Sequence, residues 1–198
     1  GSDNTVDTGI GNDIVSVAGD GNIVNTGDGN DTIVVAGQSN RVNAGAGDDN
    51  IYVYDAKTAY IEAGEGNDTV YWDPAAAEGG VRILNADYWP SDVDTLVLNV
   101  KKSDVTFSWQ AEDTIWQDGQ SVTLRDILVI SVPGEKESVS KRLTIANWKD
   151  HSWSVNCLDG DFTAEDINKE LFGVEITLTG SETSEGKTTA LDDTINIV

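Results

Sequence analysis

The first third of the chain is built on an 18-residue repeat made of two nine-residue halves. The residue found every nine positions alternates between an amide and an acid, in the series Asn4, Asp13, Asn22, Asp31, Asn40, Asp49 and Thr58. Two positions further on stands one apolar residue each time, in the series Val6, Val15, Val24, Ile33, Val42, Ile51, Tyr60 and Val70. An extra residue after position 58 delays the next acid, Asp68. This period predicts a parallel β-solenoid in which the apolar series forms the core.

Each half-repeat is a turn followed by a short strand. In the repeat at 26–34, Gly27 and Gly29 give a turn that tolerates positive φ. Side chains alternate between the faces of a strand, so Ile33 is expected inside and its neighbours outside. Successive turns lie on opposite sides of the roll. We call the side that carries the acids the Asp side, and the side that carries the amides and Thr58 the Asn side.

The difference in charge between the two sides predicts where a cation binds. Calcium takes six to eight oxygen ligands and prefers carboxylates. Stacked carboxylates repel one another without a cation, whereas stacked amides form a neutral hydrogen-bonded ladder. Turn chemistry alone also favours Asp and Asn, but it does not explain their strict alternation. We therefore predict about three to four Ca²⁺ ions on the Asp side and none on the Asn side.

Composition restricts the partners. The chain has 35 acidic and 12 basic residues and a net charge of -23, which argues against nucleic acid and anionic membrane surfaces. An apolar content of 38% with six Trp is too high for plain disorder. No apolar run is long enough to predict a membrane span. The single Cys157 excludes an internal disulfide.

Four segments carry the same motif: TGIGNDIV at 8–15, TGDGNDTI at 26–33, AGAGDDNI at 44–51 and AGEGNDTV at 63–70. They resemble the RTX (repeats-in-toxin) calcium-binding nonapeptide of bacterial proteins exported by type I secretion systems. The match departs at the first glycine, where Thr or Ala stands instead. The resemblance implies a parallel β-roll with calcium between stacked turns.

The resemblance also implies a ligand set. One turn would supply two glycine carbonyls and its Asp, and the turn 18 residues later two more carbonyls and its own Asp. The metal ligands so implied are Gly9, Gly11, Asp13, Thr26, Gly27, Asp28, Gly29, Asp31, Ala44, Gly45, Ala46, Gly47, Asp49, Ala63, Gly64, Glu65, Gly66 and Asp68. A fourth ion would join Asp68 to Asp94, because the segment 91–96 echoes the end of the repeat.

The rest of the chain lacks the period. Strands are predicted at 81–84, 95–100, 105–109, 121–124, 127–132, 142–145, 153–158 and 174–178, and one helix from Thr163 to Leu171 with Asp166 closing a capping box. The segments DVTF at 104–107, DILVI at 126–130, LTIANW at 143–148 and LDGDFTAEDI at 158–167 resemble the flanking domain of haemolysin-type calcium-binding proteins. The predicted fold class is all-β, a parallel β-roll at 3–72 followed by a mainly β capping domain at 73–180. Residues 181–198 are interpreted as a linker and the start of a further repeat.

Other candidate sites are weaker. The run from Asp159 to Thr163 imitates an EF-hand, but a helix cap explains it better because Ala164 stands where Gly is needed. His151 lacks any catalytic or metal-binding pattern around it, and the chain has no HExxH or GxSxG motif, so no enzyme activity is predicted. The six Trp residues fit a core better than a sugar platform.

The resemblance implies a secreted, extracellular or cell-surface bacterial protein whose calcium-binding module folds outside the cell. Its expected partners are calcium ions and the type I secretion machinery. An alternative of a different class remains open at this point, namely a receptor- or glycan-binding region of an RTX toxin or adhesin. That alternative would use the Trp-rich surface of the flanking domain.

Overall fold

The computed structural model describes residues 1–74, 80–84, 92–117, 120–133, 140–148 and 152–172. These residues form a β-solenoid with one short α-helix, which confirms the predicted fold class. The elements are β1 (Thr5–Asp7), β2 (Ile14–Ala18), β3 (Ile23–Asp28), β4 (Thr32–Ala46), β5 (Asn50–Glu65), β6 (Thr69–Trp72), β7 (Gly80–Ile83), β8 (Val93–Leu98), a 3-10 helix (Lys102–Asp104), β9 (Thr106–Gln117), β10 (Gln120–Pro133), β11 (Ser140–Ile145), β12 (Ser152–Cys157), β13 (Gly160–Phe162) and α1 (Ala164–Phe172).

Two parallel ladders run along the solenoid. The Asp ladder consists of β2, the first parts of β4 and β5, then β6, β8 and β12. The Asn ladder consists of β1, β3, the second parts of β4 and β5, then β7 and β11. Val15 pairs with Ile33, and Ile33 with Ile51, so these turns advance by the predicted 18 residues. The repeat in the sequence is therefore one turn of the solenoid.

The inward side chains stack into a continuous core. The Asp ladder contributes the buried stack Val15, Ile33, Ile51, Val70, Leu96 and Val155. The Asn ladder contributes the buried stack Val24, Val42, Ile61, Ile83 and Ile145. Full burial of one such side chain stabilises a fold by about 1.5–3 kcal/mol. Residues from before and after position 72 share both stacks.

The extra residue enters earlier than the sequence indicated. The register between β4 and β5 shifts between Tyr54 and Thr58, so that Asn40 pairs with Ala59 rather than with Thr58. As a consequence Ile61 is fully buried, whereas Tyr60, predicted to point inwards, is half-exposed. The prediction was wrong at these two positions, because counting from the amide series placed the insertion after residue 58.

The hydrogen-bonded ladders also run through the turns. The strands β4 and β5 span 15 and 16 residues, whereas the sequence indicated strands of about three. Stacked turns share one conformation, so their backbone groups pair, as Asp28 N does with Gly9 O (2.9 Å) and Gly29 N with Ala46 O (2.7 Å). Gly27 has the expected positive φ (99°), and a Cβ there would lie 2.0 Å from Gly9 O. The close stacking therefore depends on glycine.

Beyond residue 72 both ladders gain two more parallel strands. The hairpin of β9 and β10 then adds to β11, and β13 adds to β12. The division into domains stays a prediction, since the two ladders continue across the proposed boundary. The strands predicted at 121–124 and 127–132 form one strand, β10, in which Asp126 has φ 46°. The predicted strand at 174–178 and the segment 181–198 lie outside the described residues.

The helix forms as predicted, with a one-residue offset. Its capping box is complete: Asp166 N donates to Thr163 Oγ1 (3.1 Å), and Thr163 N donates to Asp166 Oδ2 (2.9 Å). The cap lowers the pKa of Asp166, because the Thr163 N–H and hydroxyl stabilise the charged carboxylate.

A pair of glycine variants tests the stacking of the turns. Gly9 and Gly45 both have positive φ, but a Cβ at Gly45 would lie 2.0 Å from Gly27 O, whereas a Cβ at Gly9 would meet nothing within 4 Å. Gly9→Ala should cost about 1–2 kcal/mol for the backbone conformation alone. Gly45→Ala should cost at least twice as much in urea unfolding under the same conditions. Equal losses would show that the turns do not depend on close stacking.

Candidate metal centre

A column of buried carboxylates runs along the Asp side, one from each turn. Asp13, Asp31, Asp49, Asp68 and Asp94 occupy it, and the last four are buried. Each backbone N–H donates to Oδ1 of the Asp in the next turn, at 2.7, 2.7, 2.8 and 3.0 Å along the column. The structure therefore brings the five predicted Asp residues together, and it includes Asp94 despite the longer gap in the sequence.

The second oxygen of these carboxylates is the unusual feature of the column. In Asp13, Asp31 and Asp49, the Oδ2 atom is buried and accepts no hydrogen bond from the described residues. A buried charge without a partner costs several kcal/mol. Carboxylates one strand spacing apart, about 4.8 Å, also repel one another by roughly 3 kcal/mol at an effective dielectric constant of 20. Positive charge placed beside the column would therefore be strongly favourable.

The raised pKa of Asp49 reflects the cost of placing negative charge in this column. Burial raises the pKa of this carboxyl to about 6. The N–H of Asp31 opposes the shift, while the negative charges of Asp31 and Asp48 add to it. Desolvation and like charges disfavour the ionised form, so the roll without a cation favours a proton at this position.

The Asn side shows what the same fold does with a neutral side chain. The Asn40 amide nitrogen donates to Gly19 O (2.9 Å) and Ala36 O (3.0 Å). The Asn22 amide nitrogen donates to Gly19 O (3.1 Å) and to Asn40 Oδ1 (3.1 Å). The predicted amide ladder is therefore present. Asp has an oxygen where Asn has this donor, so it cannot bond turn carbonyls in the same way. A cation beside the carboxylates would take the role of the missing donor.

The implied carbonyl ligands lie along the stacked turns and already bond one another. Gly9 O accepts from Asp28 N (2.9 Å), and Asp28 O accepts from Gly11 N (2.7 Å). The Thr26 hydroxyl donates to Ala44 O (2.8 Å), so Thr at the first turn position links its turn to the next one by a side-chain hydrogen bond. Each carbonyl has a second lone pair that remains compatible with a cation. Their role as ligands stays a prediction.

The sequence analysis missed one acid in this region. In the earlier turns the second glycine donates to a backbone carbonyl, as Gly47 N does to Glu65 O (2.7 Å). In the fourth turn Gly66 N donates instead to the Asp92 carboxylate, at Oδ2 (3.1 Å). Asp92 lines an open depression together with these residues and Ala46. The only signal in the sequence was the Asp-Val-Asp spacing at 92–94, because the turn before it has no glycine pair.

Side chains alone do not make a metal site here. Within the described ranges, no three His, Cys, Asp or Glu side chains lie close enough together to hold a metal ion. Any cation on the Asp side would therefore need backbone carbonyl oxygens beside the carboxylates. That mixture of donors is the one that the RTX resemblance implies, and hard oxygen ligands of both kinds suit calcium.

The EF-hand-like loop is occupied by a lysine. Lys102 N donates to Asp159 Oδ1 (2.6 Å), and its ammonium group donates to Asp161 O and lies 4.2 Å from the centre of the Phe162 ring. The ammonium group thus contacts a backbone carbonyl and an aromatic ring of this loop. The helix-cap interpretation of the segment is confirmed by the capping-box hydrogen bonds between Thr163 and Asp166.

The Trp residues divide between core and surface. Trp72, Trp148 and Trp153 are buried, whereas Trp109 and Trp116 of the hairpin strand β9 are 41% and 74% exposed. Trp89 and His151 lie outside the described residues. Three of the five Trp residues that the structure describes thus belong to the core.

The chain matches no model of a known protein family and no curated protein. The interpretation of the repeat therefore depends on the motif and on the geometry of the Asp side. As for membranes, no helix in the described part of the chain is both long and apolar enough to cross one.

The raised pKa of Asp49 predicts how pH affects the roll without metal. Between the ordinary pKa of 3.8 and the folded value of about 6, the folded state binds more protons than the unfolded state. The contribution of this group to stability should therefore be full below the ordinary pKa and be lost as pH rises through this window to about 6. In the presence of a chelator, circular dichroism should show more β-structure at pH 5 than at pH 7. Asp49→Asn should weaken this dependence; an unchanged pH profile in that variant would contradict the assignment.

Proposed function

We propose that the chain is a calcium-dependent folding module of the RTX type, belonging to a secreted or surface-exposed bacterial protein. The observation that carries the proposal is the contrast between the two sides of the roll. Amides on the Asn side bond turn carbonyls, whereas three carboxylates on the Asp side each keep a buried oxygen that has no partner among the described residues. The RTX-like motif TGDGNDTI and its three variants support the identification of the ion as calcium.

The residues of the Asp column would hold the ions together with the carbonyls of the flanking turns. Calcium, when bound, supplies positive charge between the carboxylates. Asp31 is shared by two of the implied sites, because it lies between Asp13 and Asp49 in the column. Removing its charge should therefore affect two ions at once.

The proposed mechanism is linkage between calcium binding and folding. Calcium binds the stacked turns but not the open chain, because each site needs oxygens from two turns. An ion present at ~20-fold above its Kd stabilises the fold by about 1.8 kcal/mol per site. Extracellular calcium modules bind at ~10⁻⁴–10⁻³ M. At low cytosolic calcium the acidic chain would stay open for export by a type I system, and it would fold outside.

In this proposal the chain is a structural and secretory device without catalytic activity. The strands after residue 72 extend the core of the roll, since Val70 stacks on Leu96 and Ile61 on Ile83. Solenoids need a cover on their apolar ends. The hairpin of β9 and β10, which adds to the last strand of the Asn ladder, would provide this cover at one end.

Circular dichroism with and without calcium tests the proposal directly. The net charge of -23 and the buried column predict that chelator-treated protein at pH 7 lacks most of its β-signal. Millimolar calcium should restore the signal, whereas the same concentration of magnesium should restore much less, because magnesium is smaller and dehydrates reluctantly. An identical β-signal in chelator and in calcium would refute calcium-dependent folding.

A matched pair of variants tests whether calcium binds only on the Asp side of the roll. Asp31→Asn removes one charge but introduces an amide that can donate to turn carbonyls, as Asn40 does. This variant should be more stable than the native chain in chelator, yet need more calcium to reach full stability. Asn40→Ala, the control, should lower the urea midpoint in saturating calcium but leave the number of calcium ions bound by the folded roll unchanged. The one-sided account fails if calorimetric titration shows that both variants lose calcium equally.

A further inference from the structure

A groove crosses the outer face of the Asp ladder, away from the carboxylate column. It is lined chiefly by Tyr54, Tyr71, Val97, Asn99, Asn156 and Leu158. We call it the tyrosine groove. These residues lie on β5, β6, β8 and β12 or directly after them. Neighbouring strands are about 4.8 Å apart, so the groove extends over about 14 Å.

One wall of the tyrosine groove is aromatic. The rings of Tyr52 and Tyr71 stack with centroids 4.3 Å apart and planes within 6°. The ring of Tyr54 lies 6.3 Å from that of Tyr52, at 13°. The backbone ladder fixes the spacing of these rings, and Tyr54 is 44% exposed. A rigid, partly exposed ring face of this kind suits a ligand with a flat apolar side.

Polar groups are placed among the apolar ones. Asn99 Nδ2 donates to Asp73 Oδ2 (3.2 Å) at the margin, and the Asn156 side chain is half-buried within the groove. The indole nitrogen of Trp72, another lining residue, is buried and has no acceptor among the described residues. An apolar lining with a few fixed polar groups is the usual composition of a small-ligand site.

The charges of the groove residues indicate which class of ligand could bind there. The lining residues include no Lys or Arg, and the single carboxylate among them is that of Asp73. Phosphate, sulfate and carboxylate groups would therefore meet no counter-charge, in a chain of net charge -23. A peptide is also disfavoured, because β6 and β8 are central strands whose edges are already paired. An uncharged ligand with apolar ring faces and hydroxyl groups remains.

We infer that the tyrosine groove binds a short neutral oligosaccharide. The apolar face of a sugar ring packs against Tyr54, while Asn99 and Asn156 exchange hydrogen bonds with its hydroxyls. The site differs from the Trp-rich surface of the flanking domain, which the sequence analysis left open as the place of a glycan-binding alternative. It depends on the Asp side only through the folding of the roll, because none of its lining residues belongs to the carboxylate column.

A glycan array of neutral and acidic oligosaccharides, probed with protein whose fold has been verified by circular dichroism, tests the inference. Binding to at least one neutral glycan is expected. Titration calorimetry with that glycan should then show an affinity at least about tenfold weaker in Tyr54→Ala, the loss expected for one stacked ring. Asn156→Ala should also weaken binding. Trp116→Ala, which removes an exposed aromatic outside the groove, should leave the affinity unchanged.

Three results would overturn the inference. The first is a folded protein that binds no neutral glycan. The second is a preference for acidic glycans. The third is binding that survives Tyr54→Ala but is lost in Trp116→Ala, which would place the site on the hairpin. A spectrum that responds to calcium without any glycan binding would reject the groove and leave the folding proposal standing.

Discussion

The structure depends on one repeated contact, the hydrogen bond from the backbone of each Asp to the carboxylate of the Asp one turn later. This contact fixes the register of the Asp ladder at 2.7–3.0 Å along the column. It uses Oδ1 and leaves Oδ2 of Asp13, Asp31 and Asp49 buried, with no hydrogen-bond partner in the part of the chain that the structure describes. The interaction that aligns the turns therefore also concentrates negative charge, which the proposed calcium ions would offset. Roughly 3 kcal/mol of repulsion per neighbouring pair is large beside the usual stability of a domain.

The Asn side shows how the same stacked arrangement behaves when the side chains are neutral amides instead of carboxylates. Its backbone donates to Asn40 Oδ1 in the same way (2.8 Å from Asn22 N), but the other end of the amide is a donor with carbonyl partners. A neutral ladder of this kind is complete without any ion. In the proposed function, calcium would therefore act on one side only, where one atom per residue differs. A roll with amides on both sides would fold without regard to calcium, and a roll with acids on both sides would carry still more repulsion.

Much of this could be predicted from the sequence because the repeat is local. The period gave the inward residues, the two columns and the glycine positions, and the capping box gave the helix. The errors have physical reasons. Counting could not locate the insertion, so Tyr60 was expected inside instead of Ile61. Asp92 was missed because its side chain replaces a backbone carbonyl. The tyrosine groove joins strands about a hundred residues apart, and no local pattern reports such pairing.

Calcium-bound crystals would test the central claim most directly, through the anomalous signal of the ions. The account predicts peaks along the Asp side between successive turns, within about 2.3–2.6 Å of the Oδ2 atoms of Asp13, Asp31 and Asp49. It predicts no peak beside Asn22 or Asn40, whose amides already bond turn carbonyls. Peaks on both sides, or an Asp side without peaks at saturating calcium, would contradict the account.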